Sequence, residues 1–372
     1  MAGLYFHIPF CKKKCYYCDF YSSNNISLVN EFIVCLEKEI LLKKNFLSDK
    51  IISTIYFGGG TPSLLTINQL EKILNFTFKN FKFSAFVEIS IEVNPENASL
   101  DYLKELNNLK FNRISIGVQS LDDNILKFLN RHHSANTAIQ SVLYANTAGF
   151  ENITVDLIYS IPGLSLQLLE DEMTVFFNLP VSHLSAYQLG IEKNTVLNKF
   201  VEDGKIFLLD EDSCYAQYLK VLEISEKYGF EQYELSNFAK NNKISLHNTN
   251  YWNGTEYLGF GPSAHSFYKN YRSWNIANLK DYIFNVNNFI SFFDEENLSE
   301  HNLFNEKIML SLRTNIGLDL NYLENLNSSF FKTFSKNLKL INSNYYTIFE
   351  NKISLTTSGQ FISDFIISLL FV

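Results

Sequence analysis

Hydrophobic and polar positions along this chain alternate between two periodicities. Six short runs are almost wholly apolar and rich in Ile, Val, Phe and Tyr, which is typical of buried parallel strands. They occupy residues 4–8, 52–57, 86–93, 113–118, 153–158 and 183–189. The stretches between them repeat their apolar residues every three to four positions, which predicts helices at 28–44, 67–78, 121–129 and 137–148.

Strand–helix units in series predict the fold class. A strand followed by a helix and a further strand implies parallel pairing with right-handed crossovers. Six such units are too few for a closed eight-fold barrel, so we expect an α/β fold built on a partial, open (βα)6 barrel. In barrels of this kind the active site lies at the carboxyl ends of the strands.

The second half of the chain has a different pattern. A longer helix is predicted at 212–228, and an aromatic- and glycine-rich stretch follows it. The tail contains a helical pattern at 306–313, two short strand patterns at 345–349 and 353–355, and a final helix from 359. We therefore predict a core at 1–237, a connecting region at 238–300, and a small winged-helix-like α+β module at 301–372.

Composition narrows the possible partners. The 372 residues carry a net charge of −8 with no long basic run, which argues against a nucleic-acid-binding surface. No apolar run approaches the ~20 residues of a membrane span, and no signal peptide is visible at the start. Five cysteines in a chain of this size are too few for a disulfide framework. These features predict a cytoplasmic protein without an integral membrane segment.

Three of the cysteines are clustered. Cys11, Cys15 and Cys18 form a C-x3-C-x2-C pattern directly after the first predicted strand. A 4Fe–4S cluster for electron transfer normally has four cysteine ligands, so three would leave one iron open for chemistry. Zinc is the alternative, but it usually requires a second ligand pair. Cys35 and Cys214 are isolated in the sequence and are better explained as buried apolar residues.

Further candidate residues follow the later strands. The turn containing Gly58, Gly59, Gly60, Thr61 and Pro62 would let backbone approach a ligand closely, although such a sequence also occurs in ordinary tight turns. Polar residues occur at or after the ends of later strands, where each could instead cap a helix or join an ion pair. Together they would suit an adenosyl amino acid; they are Glu92, Gln119, Arg131 and Asp156.

The cysteine pattern resembles the signature of the radical S-adenosylmethionine superfamily. The motifs at 5–11, 58–62, 91–95, 117–120, 156–163 and 184–189 resemble the oxygen-independent coproporphyrinogen-III-oxidase-like family throughout the chain. The resemblance implies that S-adenosylmethionine occupies the open iron and can be reduced to methionine and a 5′-deoxyadenosyl radical. It also implies which residues line the cofactor site: Tyr5, Gly59, Gly60, Thr61, Glu92, Gln119, Arg131 and Asp156.

Two details separate the branches of that family. The oxidases have a further cysteine two places after the third, where this chain has Phe20. His247, Tyr251 and Trp252 belong to an H-N-x-x-Y-W pattern that resembles the HemW branch of heme chaperones. The resemblance therefore implies heme, a heme-acceptor protein and, where the cluster is reduced, an electron donor as partners.

The role of the histidine and the reaction class are open at this stage. His247 could ligate heme iron, with His265 and His7 as rival ligands, or it could form only structural hydrogen bonds. We predict a heme chaperone. The alternative is an enzyme that oxidatively decarboxylates coproporphyrinogen III, and the replacement at Phe20 puts that activity in doubt.

Overall fold

The computed structural model describes residues 1–47 and 50–372. Its centre is a run of parallel strands that lie side by side in chain order. They are β1 (Ala2–Ile8), β2 (Ile52–Gly59), β3 (Phe83–Val93), β4 (Arg113–Gln119), β5 (Asn152–Tyr159) and β6 (His183–Gln188). The predicted partial (βα)6 barrel is confirmed, and the predicted strands agree with these bounds to within a few residues.

Helices connect these strands and cover their outer face. They are α1 (Val29–Lys43), α2 (Ile67–Asn80), α3 (Leu100–Asn108), α4 (Asp123–Phe128), α5 (Ala135–Thr147) and α6 (Leu166–Asn178). Most of them have an N-cap residue whose side chain accepts a hydrogen bond from a backbone N–H group of the first turn. Ser134 accepts from Thr137 in this way, and Ser165 accepts from Leu168. The four helical stretches named from the sequence correspond to α1, α2, α4 and α5.

The strands present different chemistry on their two faces. In β1, Leu4, Phe6 and Ile8 are fully buried against the surrounding apolar core. The alternate positions of the neighbouring strands face the barrel interior and carry polar groups, such as Tyr56, Glu92 and Asp156. A polar interior under an apolar shell leaves room for a polar ligand inside the barrel.

The central sheet extends beyond the barrel at both edges. After α7 (Val196–Glu202) and α8 (Glu211–Lys227), β7 (Glu231–Glu234) and β8 (Asn237–Ala239) join the β6 edge. The β1 edge gains further strands, which follow the short helix α9 (Leu246–Trp252). They are β9 (Tyr257–Phe260), β10 (His265–Tyr268), β11 (Tyr271–Asn275) and, after helix α10 (Leu279–Asn288), β12 (Phe293–Asn297). The predicted connecting region 238–300 thus contributes strands to the main sheet.

A buried ion pair connects α1 to this added edge. Lys43 Nζ lies 2.7 Å from Glu39 Oε1, and both side chains are almost completely inaccessible to solvent. Glu39 also accepts hydrogen bonds from the backbone of Gly261 and the hydroxyl of Tyr282, and Lys43 donates to Asn275. Because the buried charges of Glu39 and Lys43 both have hydrogen-bond partners, this network fixes the position of the loop after β9.

The C-terminal module has its own hydrophobic cluster, which includes Phe304, Leu323 and Phe334. A small antiparallel sheet in the order β13-β15-β14 packs with several helices. Its elements are α11 (Glu300–Leu312), β13 (Leu318–Asp319), α12 (Leu320–Leu326), α13 (Ser328–Leu338), β14 (Tyr346–Phe349), β15 (Lys352–Leu355), α14 (Thr357–Phe361) and α15 (Ser363–Leu370). The domain limits at 237 and 300 stay a prediction. Over the described ranges, no helix has the length and apolar character needed to cross a membrane.

Candidate functional site

A cavity of about 860 Å³ opens at the carboxyl ends of the barrel strands and continues into the barrel. Most of the residues that the sequence singled out line it together. They are Cys11, Cys15, Cys18, Gly59, Gly60, Thr61, Glu92, Gln119, Arg131 and Asp156. Residues more than a hundred positions apart in sequence thus converge because the strands that carry them are parallel neighbours.

The cysteine loop is held by several other segments. The backbone N–H of Cys11 donates to the Ser23 carbonyl at 3.0 Å, and the side chain of Asn130 donates to the Lys14 carbonyl at 2.8 Å. The carbonyl of Tyr16 accepts from Leu197 at the start of α7 at 2.9 Å. These contacts orient a loop whose three cysteines are free and partly exposed toward the cavity.

Two of the thiols in this loop, those of Cys11 and Cys18, are partly buried. Burial raises the pKa of Cys11, although the hydroxyl of Thr61, 3.4 Å from its Sγ, opposes the shift. Burial likewise raises the pKa of Cys18 to about 11. A metal must displace protons from these thiols, so binding of a cluster would release protons. Among the described residues, no three His, Cys, Asp or Glu side chains are grouped to hold a single metal ion. The three thiols suit a multi-iron cluster, which distributes its ligands over several irons.

The glycine turn at the end of β2 requires glycine for steric reasons. Gly59 adopts φ +104°, and a Cβ there would lie 2.6 Å from Nδ1 of His7. A Cβ at Gly60 would lie 2.8 Å from the carbonyl oxygens of both Ile8 and Phe10. The turn therefore packs directly against the start of the cysteine loop, and no larger residue could bring the cavity wall so close to it.

Arg131 crosses the cavity wall between the cysteine loop and the strand ends. Its Nη2 donates to Oδ1 of Asn94 at 2.9 Å and to the carbonyl of Gly117 at 2.5 Å, while Nη1 lies 3.5 Å from Sγ of Cys15. Its Nε is buried and has no hydrogen-bond partner among the described residues. A fixed guanidinium with an unused donor fits an incoming carboxylate. The sequence analysis did not identify Asn94, although it belongs to a quoted motif.

Two carboxyl groups share the interior of the barrel. Glu92 accepts from the hydroxyl of Tyr56 at 2.8 Å, and Asp156 accepts from the hydroxyl of Ser115 at 3.0 Å. Burial raises the pKa of Glu92 to about 8, with a further contribution from Asp156, whereas the hydrogen bond from Tyr56 opposes it. Burial also raises the pKa of Asp156 to about 6. Near neutral pH the pair can both donate and accept hydrogen bonds, which suits the hydroxyl groups of a sugar.

Gln119 ends β4 in a backbone conformation that its residue type rarely adopts. Its φ is +71°, and its side chain is largely buried in the cavity wall. Backbone conformations of this kind cost energy and are found frequently at ligand sites. The amide of Gln119 and the guanidinium of Arg131 both lie beside Gly117, where a Cβ would be 3.2 Å from each.

The deeper part of the cavity contains residues that the sequence analysis missed. Ser90, Arg113 and His183 line it and are buried. Oγ of Ser90 and Nδ1 of His183 have no hydrogen-bond partner among the residues that the structure describes. Such atoms are normally satisfied by water or a ligand. The alternation of inward positions along the predicted strands was the available signal for these residues.

Of the two roles that the sequence left open for His247, the structure favours structural hydrogen bonding over heme ligation. Nδ1 of His247 lies 2.8 Å from the hydroxyl of Thr54, and Nε2 lies 2.9 Å from the hydroxyl of Tyr251. The ring is buried, stacks on Tyr56, and lies outside the cavity lining. Burial lowers the pKa of His247 to about 3, so the ring is neutral. The i, i+4 spacing of the motif on α9 produces the contact with Tyr251.

Two other predicted positions have different environments. Tyr5 lies behind the cavity wall, where its ring stacks on Tyr56 and its hydroxyl lies 3.3 Å from Nδ1 of His7. Phe20 lines the cavity near the cysteine loop, and the residue is 67% exposed. An apolar ring in that position supplies no thiol to the cavity.

Comparisons with known proteins agree on one superfamily. Residues 5–174 match the model of the Radical SAM superfamily. The chain is 33% identical to the heme chaperone HemW of Bacillus subtilis over 86% of this chain and 85% of that protein. It is 32% identical to the heme chaperone HemW of Lactococcus lactis over 95% of this chain and 93% of that protein. The structure of coproporphyrinogen III oxidase (HemN) from Escherichia coli superposes with a TM-score of 0.86 at 24% identity, covering 100% of this chain and 90% of that one. That likeness concerns the fold.

Proposed function

Because this chain belongs to the HemW family of the radical SAM superfamily, we propose that it is a heme chaperone that binds heme and transfers it to an acceptor protein. One observation carries the proposal: the similarity to relatives named heme chaperones extends over 86% to 95% of the chain. The exposed phenyl ring of Phe20 adds support, because it occupies the place where the related oxidases have a further cysteine.

We further propose that Cys11, Cys15 and Cys18 hold a 4Fe–4S cluster with S-adenosylmethionine at its open iron. When bound, this pair supplies one-electron reduction of the sulfonium. Arg131 would bind the methionine carboxylate through its unpartnered Nε, and Glu92 and Asp156 would bind the ribose hydroxyls. Gly59, Gly60, Thr61 and Gln119 would complete the pocket, and Tyr5 would support it from behind.

The remaining partners follow from this role. The proposal includes an acceptor protein for heme and a one-electron donor in any state where the cluster is reduced. It assigns the protein to the cytoplasm, because free thiols persist in a reducing compartment. Whether the cofactor serves turnover or acts as a switch for heme transfer determines whether the protein is an enzyme.

The alternative is oxygen-independent oxidation of coproporphyrinogen III. The polar interior and the fold are compatible with either function, because the similarity to the Escherichia coli oxidase shows the fold only. A single anaerobic preparation separates the two functions. Reconstituted protein is titrated with ferric heme and, in parallel, incubated with coproporphyrinogen III, S-adenosylmethionine and a reductant.

We expect about one heme per chain and no protoporphyrinogen. The Cys15→Ala variant is the control, because any product it forms cannot come from a complete cluster. Robust product formation by the wild type without heme binding would replace the chaperone proposal with the enzyme.

A further inference from the structure

We propose that His265 is the axial ligand of the heme and that the porphyrin lies on an aromatic patch formed by His265, Phe267 and Trp274. The inference rests on the proposed function, because it names the heme site of that chaperone. It also replaces the position that the sequence motif favoured, since both ring nitrogens of His247 are already hydrogen-bonded.

The surroundings of the seven histidines lead to this choice. Several are buried and cannot present an imidazole to a flat porphyrin without local unfolding; they are His7, His133, His183 and His247. In particular, His7 bonds the Tyr21 carbonyl through Nε2 at 2.9 Å and approaches the Tyr5 hydroxyl through Nδ1. The sequence had left His7 as a rival ligand, and these contacts argue against it.

The exposed histidines are His132, His265 and His301. His132 lines a small polar pocket with Lys13 and Lys127, and the described residues that line it include no Phe, Tyr or Trp. The ring of His301 forms a T-shaped pair with the ring of Phe330 on the C-terminal module, with 5.7 Å between the centroids. His265 differs from both because its ring lies beside the indole ring of Trp274.

Strand register places the patch residues on one face of the sheet. His265 of β10 pairs with Trp274 of β11, and Phe267 pairs with Arg272. Directly paired residues, and alternate residues along each strand, point to the same side. The intervening residues Ser266 and Ser273 are buried on the opposite side. The imidazole is therefore presented to solvent with an indole 6.4 Å away, centroid to centroid, at an angle of 32°.

The chemistry of the patch suits heme. Iron binds the neutral imidazole, and partial desolvation together with the nearby Arg272 lowers the pKa of His265 from its usual value. Phe267 and Trp274 are half-buried and offer apolar ring surface to a porphyrin face. Arg272 forms an ion pair with Glu306 of α11 at 2.7 Å, which places the C-terminal module at the border of the patch.

The patch adjoins the cofactor cavity. Ser263, two residues before His265, lines that cavity, and Ala264 accepts a backbone bond from Asn275 of β11 at 2.9 Å. The buried Glu39 holds the loop through the backbone of Gly261 at 2.8 Å. Heme on this patch would therefore lie next to the cysteine loop and the S-adenosylmethionine pocket.

Titration of the full-length protein with ferric heme tests the inference, with the Soret band as readout. We expect His265→Ala to raise the Kd by about tenfold or more, the equivalent of about 1.4 kcal/mol, and to shift the Soret maximum. Added imidazole should restore the wild-type spectrum in this variant by occupying the vacated coordination position. His301→Ala, which removes an exposed imidazole elsewhere, should match the wild type in both affinity and spectrum.

Further variants keep the result interpretable. His265→Met retains a side chain that can ligate iron, so it should bind heme with an altered spectrum even if His265→Ala folds poorly. Trp274→Ala should weaken binding without the spectral shift of a lost ligand. Wild-type heme binding that is unchanged in His265→Ala and His265→Met would overturn this inference and leave the chaperone proposal standing. A wild type that binds no heme would refute both.

Discussion

Loss of Arg131 should weaken binding of S-adenosylmethionine while leaving the cluster intact. The guanidinium is held by Asn94 and Gly117 at one end and lies 3.5 Å from Sγ of Cys15, so its position is set before any ligand arrives. Its buried Nε has no partner within the described part of the chain. A hydrogen bond to a charged group contributes about 1.5–3 kcal/mol, which corresponds to roughly ten- to a hundred-fold in Kd.

Asn94 provides a sharper form of this prediction. Asn94→Ala removes the 2.9 Å hydrogen bond that orients the guanidinium, but it removes no proposed ligand contact. We expect a smaller loss of affinity than in Arg131→Ala. Because Asn94 acts through Arg131, the double variant should bind about as weakly as Arg131→Ala alone. Such non-additivity is the signature of two residues in one network.

The assay is equilibrium binding of S-adenosylmethionine to anaerobically reconstituted protein. Iron content and cluster absorption are measured in every sample, since a lost cluster would also reduce binding. Glu92→Ala serves as a second site variant on the ribose side. Unchanged affinity in both Arg131→Ala and Glu92→Ala would show that the cofactor binds elsewhere. Strictly additive losses for Asn94 and Arg131 would refute the positioning role.

Three other predictions use different parts of the structure. Cys15→Ala should abolish the thiolate-to-iron absorption of reconstituted protein, whereas Cys35→Ala, which alters a buried cysteine away from the site, should retain about four irons per chain. Glu39→Ala should lower the free energy of unfolding, measured in urea, by about 3–5 kcal/mol because it leaves the charge of Lys43 buried without its acidic partner. Glu37→Ala is the control on the same helix: it breaks the surface ion pair with Lys72 and should lower the free energy of unfolding by about 1 kcal/mol or less. The raised pKa of Glu92, about 8, means that the cofactor-free folded state binds a proton more tightly than the unfolded state. The contribution of Glu92 to the free energy of unfolding should therefore fall as pH rises from about 4.5 to 8, and the Glu92→Gln variant should lose this pH dependence in urea unfolding. An identical dependence of unfolding free energy on pH in the variant and the wild type would contradict the raised pKa.

Much of the fold was predictable because its signals are local. The runs that form β1 to β6 are almost wholly apolar, so the sequence alone indicates that they are buried strands. Strand–helix units in series also allow few topologies. The edge strands β9 to β12 were not predicted, because each is only four or five residues long and depends on its neighbours for pairing. Of these edge strands, only β9 pairs with β1, and β10, β11 and β12 each pair with the strand before them.

The candidate site likewise contains residues that the sequence identified and residues whose role only the structure revealed. The sequence by itself determined the three-cysteine loop, the glycine turn and the polar strand ends, because parallel strands must bring their carboxyl ends to one edge. Only the tertiary structure decided that α9 buries His247 between Thr54 and Tyr251, that Asn94 orients Arg131, and that the imidazole of His265 is exposed beside Trp274. Those outcomes depend on contacts between segments distant in sequence, and the availability of a ring nitrogen is a property of its neighbours rather than of its motif.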